Sequence, residues 1–270
     1  MEPIQKGIYR HFKGNVYEVV SLARHSETGE QMVVYRDITD SAKCWVRPAA
    51  MWQQSVTRDG VSIPRFTYLA PVQTRVYDIS QELFSCCVYP GDPAPTREVL
   101  CSFDTGSPYH LTAFSMCAHN GTHIDAPYHF IPEGKTVDQL SLAAMVGPCY
   151  VAEYCGCVDG AAMRAIWQRA AQSDPGAAAR ILIKGDAYLS EEGAAVLREA
   201  GVLLYGNESQ TVGPEEAPMA VHLMLLGAGV VLLEGIRLCD VPEGTYLLSA
   251  APINLGGAEG APCRAVLLER

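Results

Sequence analysis

The sequence predicts an α/β domain on a mixed or parallel sheet, preceded by a small all-β module. Two patterns carry this. Between residues 147 and 234, short apolar runs alternate with helical stretches, the rhythm of parallel strands joined by crossover helices. Over residues 4–69, runs rich in β-branched and aromatic residues are punctuated by turn signals. Ala70-Pro71 separates the two patterns, giving an expected module over 1–70 and a larger domain over 71–270.

In the module, residues 16–20 and 31–36 read as strands, with Ser26-Glu27-Thr28-Gly29 as the turn between them. Residues 45–48 and 65–68 read as further strands. The aromatic and Arg residues here fit either a mini-barrel core or a binding face.

The second domain opens on a strand at Val76-Tyr77-Asp78-Ile79-Ser80, followed by a Pro-rich loop, Val88 to Pro95. Leu111 to Met116 reads as a strand running on without a break into a histidine-rich segment. Residues 147–155 read as a strand and 160–172 as an Ala-rich helix. Residues 181–184 form a buried strand, Ser190 caps a helix with Glu191 and Glu192 in its first turn, and Gly201 stops it. After a strand at 202–205, the loop 206–213 falls at a carboxyl end, where α/β proteins place ligands. Pro218 starts a helix carrying His222, and Val230 to Glu234 is an apolar strand ending in a carboxylate. Residues 247–254 and 263–268 complete the sheet.

Composition narrows the function. Net charge is −10, and residues 1–70 carry 9 basic and 7 acidic side chains, so the remaining 11 and 23 put −12 on the second domain. Such a domain is a poor partner for nucleic acid or an anionic membrane surface. Residues 1–6 lack the apolar core of a signal peptide, and no apolar run is long enough for a membrane span, so a cytoplasmic protein is expected. The ten cysteines include no Cys-x-x-Cys and read mostly as small buried hydrophobes.

The chemistry concentrates in His119-Asn120-Gly121-Thr122-His123-Ile124-Asp125-Ala126-Pro127-Tyr128-His129-Phe130, which holds three of the seven histidines. Gly121, Thr122, Ile124 and Pro127 argue against a helix. A strand over 119–125 would aim His119, His123 and Asp125 to one face, Gly121 leaving space there, with a turn starting near Pro127. Imidazoles with a carboxylate suit zinc, and also manganese or iron. Taken alone, His222 fits a core histidine and Glu234 a solvated strand end.

The pattern His-x-Gly-Thr-His-x-Asp-x-Pro-x-His-Phe resembles the signature of the metal-dependent cyclase family, which includes bacterial kynurenine formamidase and isatin hydrolase. The resemblance covers roughly 75–270 and implies a swivelling β/β/α fold. It implies two divalent metal ions, zinc first and manganese as the alternative. His119 and His123 would hold one and His222 the other, with Asp125 and Glu234 bridging. It also implies His129 as acid/base, and Tyr89, before Pro90-Gly91-Asp92, in contact with substrate; Tyr89 fits equally as packing on its loop. The family's Asp-Thr-x-Ser-x-Asp is replaced here by Glu208-Ser209-Gln210-Thr211-Val212-Gly213, which leaves the substrate open. Residues 4–69 resemble a small bacterial domain of unknown function.

The activity so implied is hydrolysis of a small amide, arylformamidase-like, as in conversion of N-formylkynurenine to kynurenine and formate in tryptophan catabolism. Another small cyclic amide, lactone or ester is the alternative. A non-catalytic binding protein, or a regulatory fusion sensing a ligand through residues 1–69, is a different class. The family also implies a homodimer or tetramer acting on a small molecule.

Overall fold

The computed structural model describes residues 3–40, 42–58 and 60–269. The chain divides into two compact units, Met1–Thr74 and Arg75–Arg270.

The first unit is a five-stranded antiparallel sheet with an additional hairpin. Gly7–His11 lies between Val16–Arg24 and Phe66–Ala70, and Gln31–Asp37 and Cys44–Pro48 extend the sheet. Ser55–Arg58 pairs with Val61–Pro64 apart from it. Its core is aromatic: Tyr9, Tyr35, Trp52 and Phe66 are buried with Val19 and Val33, and Trp52 stacks on Phe66 at 3.6 Å between ring centres. Four of the module's eight Phe, Trp and Tyr residues therefore build its core and Tyr17 packs against it, while Trp45 and Tyr68 remain exposed.

The second unit is α/β on a nine-stranded mixed sheet. In spatial order its strands are Gly260–Pro262, His123–Asp125, Val231–Glu234, Leu204–Asn207, Arg180–Lys184, Val146–Glu153, Gly244–Ser249, Val266–Glu269 and Val76–Asp78. The four from Val146–Glu153 to Val231–Glu234 are parallel, and the flanking pairs are antiparallel. The helices Gly160–Ser173, Glu191–Glu199 and Met219–Gly227 fall within the segments linking those parallel strands. Asp159 caps the first of them through two backbone amides, and Ser190 caps the second at 3.2 Å from Gly193 N.

Strand side chains alternate between two cores. Ile181, Ile183 and Leu232 join the helices on one face, while Leu182, Val231 and Leu233 pack on the other. Each such residue is fully buried or nearly so, a contribution of about 1.5–3 kcal/mol apiece.

Three expectations fail here. The strand over 119–125 shrinks to His123–Asp125, because Gly121 adopts φ 65° and the side chain of Asn120 accepts from Cys117 N at 2.7 Å, closing a turn. Leu111–Ser115 does not run into it; it pairs instead with Thr96–Cys101 in a separate two-stranded sheet. Of the ten cysteines only Cys149 is buried, and five are exposed.

Candidate metal centre

Strand register builds half of the site. His123 lies directly across from Glu234, and Asp125 across from Leu232. His123 and Asp125, two apart, share a face. Thr122 and Ile124 serve the opposite side: Ile124 is fully buried in the core, and the Thr122 hydroxyl donates to Gly235 O at 2.8 Å while accepting from Gln81 N at 2.9 Å. The Gly-Thr pair of the motif is thus a clamp behind His123 and Asp125. Gly121 leaves no space for a metal or substrate, because a Cβ there would lie 2.9 Å from Cys86 Cβ.

The polar atoms converge. His123 Nε2 lies 3.3 Å from Asp125 Oδ1 and 3.4 Å from Glu234 Oε2. His222 Nε2 lies 3.1 Å from Glu234 Oε1 and 3.8 Å from Asp125 Oδ2. His119 Nδ1 is 2.9 Å from Asp125 Oδ1. Val212 N donates to Glu234 Oε1 at 2.9 Å, so the 206–213 loop fixes that carboxylate. The helix Met219–Gly227 carries His222, and Pro218 O anchors its ring at Nδ1, 2.9 Å away.

His129 sits in a single 3-10 turn, Pro127–His129. Its ring stacks on His119 at 4.1 Å between centres and lies 6.3 Å from that of His222. Ligand atoms of His119, Asp125 and His129 fall within 4.8 Å of one another, as do those of His123, Asp125 and Glu234. A cavity of about 280 Å³ opens on His119, His123, His129, His222 and Glu234 and is also lined by Tyr89, Phe130, Gln210 and Thr211. A wider cleft of about 950 Å³ shares Tyr89, Gln210 and Thr211 with it.

The electrostatics set His129 apart. Burial disfavours charge on His123, but hydrogen bonds and charge from Asp125 and Glu234 outweigh it and hold the pKa well above the usual imidazole range. His119 and His222 are raised likewise, burial being outweighed by Asp125 in the first and by Glu234 and Asp125 in the second. Burial would raise Asp125, yet His119 and His123 hold it well below the carboxylate range. Among the four histidines of the site, His129 alone is lowered: burial leads, and its neighbouring histidines reinforce it against Asp125.

The donor set fits a divalent cation. Buried Nε2 of His123 and Oδ2 of Asp125 lack hydrogen-bond partners among the described residues. Unpaired lone pairs in a dry pocket are costly unless a cation takes them. Sequence reasoning overlooked Asn120, which shapes the turn, and Glu259, whose Oε1 lies 3.4 Å from His119 Nε2. The available signal for the second was Glu259-Gly260-Ala261-Pro262, whose residues 260–262 pair with His123–Asp125.

Comparison with known proteins gives the chain a family. Residues 67–214 match the Cyclase family, and residues 7–68 match DUF1653, a family of unknown function. The kynurenine formamidase of Paracidovorax citrulli is 31% identical over 193 residues, covering 67% of this chain and 89% of the relative. A solved structure titled as a predicted metal-dependent hydrolase from Bacillus stearothermophilus is 26% identical with TM-score 0.62, covering 74% and 100% of the two chains. Isatin hydrolase A from Ralstonia solanacearum, 21% identical with TM-score 0.64 over 73% and 92% of the chains, shares the fold.

Proposed function

This chain belongs to the Cyclase family of hydrolases, and we propose that it cleaves a small amide in the manner of an arylformamidase, using a divalent metal centre. One observation carries the reading: the imidazoles of His119, His123 and His222 converge on the carboxylates of Asp125 and Glu234 beside one cavity, with His129 at its wall. His119 and His123 would hold one ion and His222 a second, with Asp125 and Glu234 as the carboxylate ligands. Zinc suits this mixture of nitrogen and oxygen donors, and manganese is the alternative.

A bound divalent ion supplies Lewis acidity, bringing the pKa of water to about 7 and polarising a carbonyl. The protein supplies the rest. Asp125 and Glu234, held by strand pairing and by Val212 N, fix the centre of charge. His129 takes a proton from the attacking water. The water oxygen bonds to the formyl carbon, the C–N bond breaks, and His129 returns the proton to the departing nitrogen, leaving an amine and formic acid, which ionises to formate by releasing its proton to solvent. Tyr89 and Phe130 give the cavity apolar walls for an aryl group, and water is excluded as that group enters.

The adjoining cleft favours a second reading. Asp186, Glu215 and Glu216 line it, while its Arg237 is committed to Glu208 O, Ile236 O and Cys87 Sγ. That wall gives little welcome to a carboxylate, so a small neutral cyclic amide, lactone or ester also fits. The exposed hairpin Thr96–Cys101 and Leu111–Ser115, with Val99, Leu100 and Phe114 more than half or about half exposed, supports a homo-oligomer that covers it.

Elemental analysis of chelator-free protein, followed by turnover of N-formylkynurenine and of a lactone panel, tests the reading. Metal with formamide hydrolysis supports it. Metal with lactone hydrolysis alone transfers it to the second reading. Protein that takes up no metal overturns both.

A further inference from the structure

Three histidines face the carboxylates of this centre, and they do not do so alike. His123 Nδ1 lies 3.0 Å from Gly121 O, and His222 Nδ1 lies 2.9 Å from Pro218 O. A carbonyl only accepts, so in both rings Nδ1 carries the hydrogen and Nε2 is left as the lone pair facing the centre. His119 is reversed. Its Nδ1 faces Asp125 Oδ1, the same oxygen that His123 Nε2 approaches, and its Nε2 points away.

Among the described residues, that outward nitrogen meets no backbone carbonyl at hydrogen-bond distance. It is buried without an aligned hydrogen bond, and the Glu259 carboxylate is 3.4 Å from it. Among the described residues, His119 is the one polar contact of the Glu259 side chain. The approach is built into the fold. Glu259 O accepts from Ala126 N at 2.8 Å, which ties it beside Asp125, and Gly260 pairs with Asp125 in register. Gly260 is also the floor under the ring: a Cβ there would lie 2.6 Å from His119 Cε1.

We propose that Glu259 is a positioning residue of the metal centre: it accepts Nε2–H of His119 and so selects the tautomer that presents Nδ1 to the ion. His119 needs a side chain for this because it stands in a turn, where no neighbouring carbonyl faces its ring. This inference rests on the metal-centre reading above, and the experiment separates the two.

Zinc, which is diamagnetic, would be titrated into metal-free wild type, Glu259→Ala and Glu259→Gln against a competing chelator. Long-range proton–nitrogen spectra of the imidazoles would be recorded on the loaded proteins. The wild type should show one histidine liganded through Nδ1 and two through Nε2. Glu259→Ala should lose roughly 10–100-fold in zinc affinity, the usual cost of removing a carboxylate that orients a liganding imidazole. Glu259→Gln, whose side-chain oxygen still accepts, should keep the wild-type tautomer pattern and lose less affinity. Wild-type affinity and an unchanged spectrum in Glu259→Ala would overturn the assignment. So would a lower zinc stoichiometry in both variants, which would make Glu259 a ligand. A wild type that binds no zinc would overturn the metal-centre reading itself.

Discussion

His123, Asp125 and Glu234 stand on two paired strands, whereas His119 and His129 stand on turns. In the first group, spacing follows from register: His123 faces Glu234 across the ladder, and Asp125 follows two residues on. Backbone hydrogen bonds hold such groups whatever their side chains do. In the second group, position depends on side-chain devices. Asn120 closes the turn that carries His119, Gly260 leaves room for its ring, and His129 is stacked against it. A strand delivers side chains rigidly but only along one face, while a turn reaches the remaining side of the pocket with the help of extra supports.

Substitutions in the two halves should therefore differ in kind. The largest effect is expected from the strand half. His123→Ala removes an imidazole that approaches both carboxylates, at 3.3 and 3.4 Å, and should lose bound metal and hydrolysis together. Elemental analysis decides it, and a variant with full metal content would remove His123 from the ligand set.

His129→Ala comes next. If this turn residue handles protons and not metal, the variant keeps its metal and loses about 10²–10⁴-fold in turnover. The loss should be larger for an amide than for an activated ester, because an amine must be protonated to leave. A metal-free variant would place His129 among the ligands, for which its nearness to His119 and Asp125 also gives it reach.

Smaller still is Gly260→Ala, which presses on His119 without touching its chemistry. The added methyl must shift the ring or the strand, costing about 1–3 kcal/mol in unfolding free energy. Ile124→Val, in the core behind the strand half, should cost a similar ~0.5–1.5 kcal/mol yet leave metal affinity unchanged. Denaturant unfolding with parallel metal titration checks the pair. Equal affinity in both variants would erase the distinction between strand-borne and turn-borne ligands.

The same division sets what was legible in the sequence. The alternation His123-x-Asp125, the β-α-β rhythm and the caps at Ser190 and Gly201 are local signals, and the structure shows the corresponding strand, sheet and helix ends. His119 shares their parity by coincidence. It reaches Asp125 through a left-handed Gly121, a conformation that a parity argument cannot register. Glu259 lies 134 positions beyond Asp125, so only strand pairing could bring it near. The cysteines misled because so small a side chain is tolerated at the surface as readily as in the core, as at Cys155 and Cys157, both exposed.

The smallest expected effect comes from removing residues 1–70. Every residue lining the metal cavity lies between Tyr89 and Glu234, and the first unit has a buried core of its own around Tyr9, Tyr35, Trp52 and Phe66. The position of the cut matters. Val76–Asp78 is the edge strand of the large sheet, paired with Val266–Glu269, and Arg75 O accepts from Glu269 N at 2.9 Å. A chain of residues 71–270 keeps both, whereas one starting at Ser80 would strip the edge and uncover Leu267, which is fully buried. The 71–270 chain should hold the same metal and turn over substrate within about twofold of the full chain, the scatter expected of independent sites. Circular dichroism, metal content and turnover on one preparation settle the matter. A chain that stays folded and metal-loaded but inactive would tie the module to the chemistry, and the site would then need a support from outside the second unit.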